Sequence, residues 1–223
     1  VDLLVKLRKE GKINDQIAMV SVADSFGIDL SKAARAGFEK AGFKIVFDKS
    51  YPVGTQDMAP IVGEAERSKA DTFVAFSYPP DTVAIVDQAR LTSYAPKVMF
   101  TGVGTFFPLF PQRFGENAEG VVSLGGWSKD NKATMEYREK IRKLVNRDPD
   151  YWGSQIGYSS LQMLEQAIER VGSLDRTAII KELQNGTFDT VIGKIKLENN
   201  MPKDAYWLLG QWQDGLYVGV APQ

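Results

Sequence analysis

Three short stretches hold most of the side chains that could do chemistry. Ser21 to Gly27 carries Ser21, Asp24, Ser25 and Phe26; Phe76 to Pro80 carries Ser77 and Tyr78; Thr101 to Thr105 carries Thr101, Val103, Gly104 and Thr105. Hydroxyls and a carboxylate make oriented hydrogen bonds, and aromatic faces give flat apolar contact at small entropic cost. Glycines such as Gly27, Gly102 and Gly104 let backbone N–H groups approach a guest closely. That is the chemistry of recognition. The chain has no cysteine and no histidine, which excludes thiolate nucleophiles, Ser-His-Asp and Cys-His arrangements and the usual zinc ligand sets. Catalysis would have to rest on carboxylates, lysine or tyrosine, and a pair such as Asp24 and Lys32 reads first as a surface ion pair. Binding without chemical change, with no cofactor and no metal, is the expectation.

Each candidate also has a structural reading. Phe76 ends an apolar run and reads first as core. Asp24 or Ser25 could cap the following helix, and Gly102 and Gly104 could simply serve a turn. Gly-x-Gly without a third loop glycine or a phosphate-cradling lysine gives no nucleotide loop.

The elements that must position these stretches follow a regular beat. Leu3 to Glu10 reads as a helix stopped by Gly11, and Ile17 to Val20 as a strand followed by a loop from Ser21 to Asp29. Leu30 to Lys40 places Leu30, Ala33, Ala34, Gly37 and Phe38 at helical spacing, with Gly42 past its end. Phe43 to Phe47, Thr72 to Phe76 and Val98 to Thr101 read as further strands, with helices at Asp57 to Lys69 and Asp81 to Leu91. Strand starts lie about 26 to 29 residues apart, one strand plus one helical return. Strands that are apolar throughout and alternate with helices predict a parallel sheet covered on both faces, with right-handed crossovers. In such a sheet ligands bind at the carboxyl ends of the strands, which is where the three stretches fall.

The beat then breaks. Phe106 to Gly115 holds Pro108 and Pro111 and is too proline-rich for a long helix. Val121 to Leu124 predicts a strand, and Gly125-Gly126-Trp127 a crossing between two lobes. Helices are expected over about 132–147, 154–171 and 175–185. A β-rich tail follows, Thr190 to Leu197 and Tyr206 to Val220, with turns at Asn199-Asn200 and Asp214-Gly215.

Composition sets the outer bounds. The 223 residues are 43% hydrophobic and 25% charged, with 27 basic against 28 acidic residues and a formal net charge of -1. That balance argues against nucleic acid as a partner, since phosphates demand clustered positive charge. No apolar run reaches the roughly 20 residues that span a bilayer. No signal peptide is visible at Val1-Asp2-Leu3-Leu4, and the true start is expected upstream.

Several motifs, taken in order, resemble the leucine/isoleucine/valine-binding family of ABC-transporter solute receptors, the type I periplasmic binding proteins. Asp24-Ser25-Phe26-Gly27 is similar to the family's acidic residue, spacer, aromatic and glycine between first strand and helix. Ala70 to Phe76, then Gln88-Ala89-Arg90, then Phe100-Thr101-Gly102, resembles its middle segment. Tyr158-Ser159-Ser160-Leu161 through Ala167 to Ser173 resembles its late helix, and Phe188-Asp189 with Val191-Ile192-Gly193 the segment after it. The resemblance covers nearly the whole chain. It implies a type I periplasmic-binding-protein fold, α/β with parallel-sheet Rossmann-like lobes and the N-terminal lobe incomplete. Residues 1–125 plus 201–223 would form the second lobe, and 126–200 the remaining part of the first.

What the resemblance implies for function is an exported, extracytoplasmic receptor. It would be monomeric, bind a small organic solute, and hand it to ABC-transporter membrane permease subunits. Ser21, Asp24, Ser25, Phe26, Ser77, Tyr78, Thr101, Val103, Gly104 and Thr105 are the expected ligand-binding residues. One departure bears on specificity. Amino-acid binders of the family carry an acid just after the Phe-x-Gly strand end, whereas this chain reads Val103-Gly104-Thr105. A buried ammonium without an anionic partner is costly, so a carboxylate, aromatic or aliphatic, or a neutral amide-like compound is expected over leucine, unless Asp24 supplies the charge. Alternatives are a classical branched-chain amino acid binder, the same fold as the ligand-sensing domain of a regulator or receptor, and a carboxylate- or lysine-based enzyme.

Overall fold

The computed structural model describes residues 1–125, 131–203 and 207–221. Helix α1 (Asp2–Lys9) is followed by strand β1 (Gln16–Val22), α2 (Ser25–Lys40), β2 (Lys44–Tyr51), α3 (Ala59–Arg67), β3 (Thr72–Phe76), α4 (Pro79–Leu91) and β4 (Val98–Thr101). Helix α5 (Leu109–Phe114), a 3-10 turn at Gly115–Ala118 and β5 (Val122–Leu124) complete this half. Then come α6 (Lys132–Val145), α7 (Gly153–Val171) and α8 (Arg176–Asn185). The remaining strands are β6 (Thr187–Thr190), β7 (Gly193–Glu198), β8 (Met201–Pro202), β9 (Leu209–Gln213) and β10 (Leu216–Ala221).

Seven strands form one sheet in the order β10-β9-β5-β4-β3-β1-β2. The five from β2 to β5 run parallel, and β9 pairs antiparallel with β5 and β10. Ile17, Ala18, Met19 and Val20 have no exposed surface, because consecutive residues of a strand face opposite sides and both sides are covered here. On one side Ile17, Met19 and Val74 meet Leu4 of α1 and Phe38 of α2. On the other, Ala18, Val20, Phe73 and Ala75 meet Ile61, Val62 and Ala65 of α3 and Ile85 and Ala89 of α4. A third group joins Phe106, Phe110 and Phe114 to Tyr137, Tyr151, Trp212 and Tyr217.

A separate three-stranded antiparallel sheet, β6-β7-β8, packs Phe188 and Ile195 against Met163 and Ala167 of α7 and Ile179 of α8. Met201 and Pro202 therefore extend the smaller sheet, through pairing with Leu197 and Glu198.

The predicted turns form as the residues require. Asn199 and Asn200 have φ of 53° and 63°, and Asp214 and Gly215 of 52° and 71°, the left-handed pair that a tight hairpin needs. One expectation is corrected. The loop from Ser21 to Asp29 shrinks to Ala23 and Asp24, because Asp24 caps α2 through the amide of Gly27 and the helix starts at Ser25. The β-rich stretch from Thr190 to Leu197 runs from the end of β6 into β7. It folds back at Val191 and Ile192, where Thr190 Oγ1 donates to the Gly193 carbonyl (2.6 Å) and Gln162 Oε1 accepts from the Val191 amide (2.9 Å). Gly126, Trp127 and Tyr206 lie outside the described residues.

Candidate ligand-binding edge

The carboxyl ends of β1 and β3 bring together Asp24, Phe26 and Tyr78. Asp24 stands between strand and helix with extended backbone, so one carboxylate oxygen accepts the Gly27 amide at 3.0 Å. Its other oxygen accepts the Tyr78 hydroxyl at 2.8 Å. The rings of Phe26 and Tyr78 stack, with centroids 4.9 Å apart and planes 24° from parallel. Both rings are half-buried. The expected Asp24–Lys32 surface pair is replaced by these contacts.

Tyr78 is fixed from its backbone too. Its amide donates to Asp81 Oδ2 at 3.3 Å, and the same oxygen accepts the Tyr51 hydroxyl from the end of β2 at 3.3 Å. The hydrogen bond to Asp24, with some burial, raises the Tyr78 phenol above its ordinary value. Burial, then the Asp81 carboxylate, raises Tyr51 further. Tyr51 and Asp81 were not among the expected site residues. The signal was the spacing from Tyr78 to Asp81, an N-cap and its third helical position reaching back.

The other hydroxyls lie beneath this edge. Ser21, at 3% exposure, is inside β1, and Ser77, Thr101 and Thr105 have no exposed surface. Ser77 Oγ shares a 2.7 Å hydrogen bond with Thr82 Oγ1 and accepts the Gly102 amide at 3.3 Å, while its carbonyl accepts the Val103 amide at 3.0 Å. Thr101 and Thr105 bond each other. The Thr105 carbonyl accepts Trp212 Nε1 at 2.8 Å, and Ser123 Oγ donates to the Gly102 carbonyl at 2.9 Å. Ser77, Thr101 and Thr105 hold the β3 and β4 loops together, because a buried hydroxyl must find a partner where it lies.

Gly104 is packed closely, since a Cβ there would lie 2.7 Å from Thr82 Cβ and 2.8 Å from Pro79 Cα. Val103 is half-buried and Ser25 exposed, each at the end of its strand–helix loop. Phe76, read as core, meets Phe100 edge-on at 6.2 Å. Among the described residues, no group of three or more acidic side chains could hold a metal ion, and no helix is long and apolar enough to cross a membrane.

An aromatic pair, a carboxylate and converging loops thus meet at the carboxyl edge of a parallel sheet, where sheets of this kind bind small molecules. Residues 2–215 match the sequence family described as periplasmic binding protein, and the chain belongs to it. A Leu/Ile/Val-binding protein homolog 7 from Brucella suis biovar 1 is 26% identical over 232 residues, covering 97% of this chain and 57% of that relative. The chain thus spans less than two thirds of that relative's length. A leucine binding protein from Thermotoga maritima superposes with a TM-score of 0.82 at 20% identity, covering 99% of this chain and 63% of the other. A solute binding protein from R. palustris, in complex with 4-hydroxybenzoate, gives 0.77 at 19% identity, over 97% and 61%.

Proposed function

We propose that this protein is an extracytoplasmic receptor of an ABC importer that binds a small organic carboxylate between two lobes and releases it unchanged to the permease subunits. Residues 1–125 with 201–223 form one lobe in this reading and 126–200 belong to the other, except that Met201 and Pro202 pair with β7 of the smaller sheet. Val103 and Gly104, with Asp24, Ser25, Phe26 and Tyr78, face the solute, while Ser21, Ser77, Thr101 and Thr105 support them from below.

The observation that carries the solute class is the engagement of Asp24. Both of its oxygens already accept hydrogen bonds, from Gly27 and Tyr78, and the β4 loop offers Val103 where an acid would hold an ammonium. A ligand α-ammonium would find no acid on the β4 loop and would have to share the Asp24 carboxylate with Gly27 and Tyr78. A flat or aliphatic body can instead rest on Phe26 and Tyr78, with its carboxylate turned away from Asp24 and Asp81. Calorimetric titration with benzoate, 4-hydroxybenzoate, leucine, isoleucine and valine tests this. Micromolar binding of an aromatic acid with none for leucine is expected; micromolar leucine binding overturns it.

A further inference from the structure

A second aromatic group lies along the same sheet edge. Trp152 precedes α7, and its backbone is fixed by Asp150, whose Oδ1 accepts the amides of Trp152 (3.0 Å), Gly153 (2.5 Å) and Ser154 (3.2 Å). The Tyr151 amide donates to the Phe106 carbonyl at 3.1 Å, tying this turn to the residue that follows the β4 loop. Gly125, just past β5, has φ of 92°. A Cβ on it would lie 2.8 Å from the Tyr151 carbonyl and 3.3 Å from Trp152 Cβ. Trp152 therefore stands at the carboxyl end of β5, as Phe26 and Tyr78 stand at those of β1 and β3.

Two further rings meet it there. Phe106 lies 5.2 Å away by ring centroid, and Trp207 stacks on it at 5.7 Å and 29°. Trp207 leads into β9, whose Leu209 pairs with Leu124 of β5, so it occupies the same edge. Trp207 is 38% exposed. The decisive feature is a polar atom. Trp152 Nε1 is buried without a hydrogen-bond partner, whereas the indole of Trp212 donates to Thr105. A buried donor left unmet in a native protein needs an explanation, and an absent guest is one.

We propose that Trp152 is a further ligand contact, its indole N–H reserved for an acceptor oxygen of the solute, with Trp207 and Phe106 flanking the flat body that carries it. The proposal rests on the binding-protein reading and adds the donor that an anionic solute requires, since neither Asp24 nor Asp81 can supply one while ionised.

The test compares the protein with its Trp152→Phe variant, which keeps a ring and removes the N–H. Three readouts are needed: thermal unfolding without ligand, calorimetry with sodium benzoate and with L-leucine, and the ¹⁵N-indole NMR signal that the variant lacks. The variant should still unfold in one cooperative transition, with a midpoint lowered only by the poorer packing of a smaller ring on Phe106 and Trp207. Benzoate should bind the variant about 10- to 100-fold more weakly, as for a lost hydrogen bond to a charged group, and should shift the Trp152 indole signal on saturation. Benzoate binding with equal affinity to both forms overturns the proposal, and so does benzoate saturation that leaves the indole signal unmoved. If leucine binds, benzoate does not and the indole signal still moves, the solute class proposed above falls and the role of Trp152 stands. If neither probe binds the protein, both fall.

Discussion

The hydroxyl of Tyr78 donates to the carboxylate of Asp24, 2.8 Å away and 54 positions earlier in the sequence. One acid thereby starts helix α2 and locks an aromatic ring of the next strand–helix unit. Asp24→Ala should cost about 1–2 kcal/mol in urea unfolding, through loss of the cap. Asp24→Asn should cost less, because asparagine also caps. Equal stability of the protein and the alanine variant would show that neither bond matters.

Two glycines are required by space. A Cβ on Gly27 would overlap the Val22 carbonyl oxygen, and one on Gly102 would lie 2.5 Å from Ser77 O and 2.7 Å from Ser77 N. Backbone atoms cannot give way as a side chain can. Gly27→Ala and Gly102→Ala should each destabilise by about 1–3 kcal/mol or more. Gly157, on α7 with nothing within 4 Å, should gain about 0.5–1 kcal/mol as alanine. Thermal unfolding followed by circular dichroism orders the three.

Trp212, on β9, anchors the β4 loop from two strands away in the same sheet. It is 1% exposed, and its indole reaches the Thr105 carbonyl. Trp212→Phe leaves that carbonyl buried and unpaired, at a cost of about 1–3 kcal/mol. Chemical denaturation checks it, and an unchanged midpoint would count against the role assigned to this bond.

Alkaline pH should unfold the protein cooperatively. Burial raises the phenols of Tyr51 and Tyr217 well above the ordinary range, so the folded state holds these protons more tightly than the unfolded one. Their contribution is complete below about pH 10 and is lost as pH rises beyond it, at about 1.4 kcal/mol per pH unit for each tyrosine. Unfolding midpoints measured from pH 8 to 11.5, with tyrosinate absorbance, should show stability flat and then falling above about pH 10. A midpoint that rose with pH would contradict the sign.

Much of the fold is legible in the sequence because both faces of the sheet are covered. Thr72 to Phe76 and Val98 to Thr101 form strands over the predicted residues, since continuous apolar runs between helices have few other ways to be buried. The site was less legible. Phe26 and Tyr78 could be named because large aromatics at strand ends seek partners, yet that they stack depends on a pairing between β1 and β3 that no local pattern encodes. The burial of Ser77, Thr101 and Thr105 was not legible either, because a hydroxyl reads alike in sequence whether it faces solvent or a neighbouring loop. Trp152 gave no signal, because its position at the β5 end is set by Gly125 and Phe106, both distant along the chain.

The strand β5 has an awkward place in the order of assembly. It spans three residues, and it is paired with β9, which lies far along the chain; the bond from Tyr217 to the Leu124 carbonyl bridges 93 positions. During synthesis Val122 to Leu124 must wait as an open sheet edge until that hairpin emerges. Closure of so long a loop is slow and leaves a sticky edge in the interim. The docking of β9 and β10 is thus the natural slow step of folding, and the stage at which the chain is most open to chaperones and to misassembly.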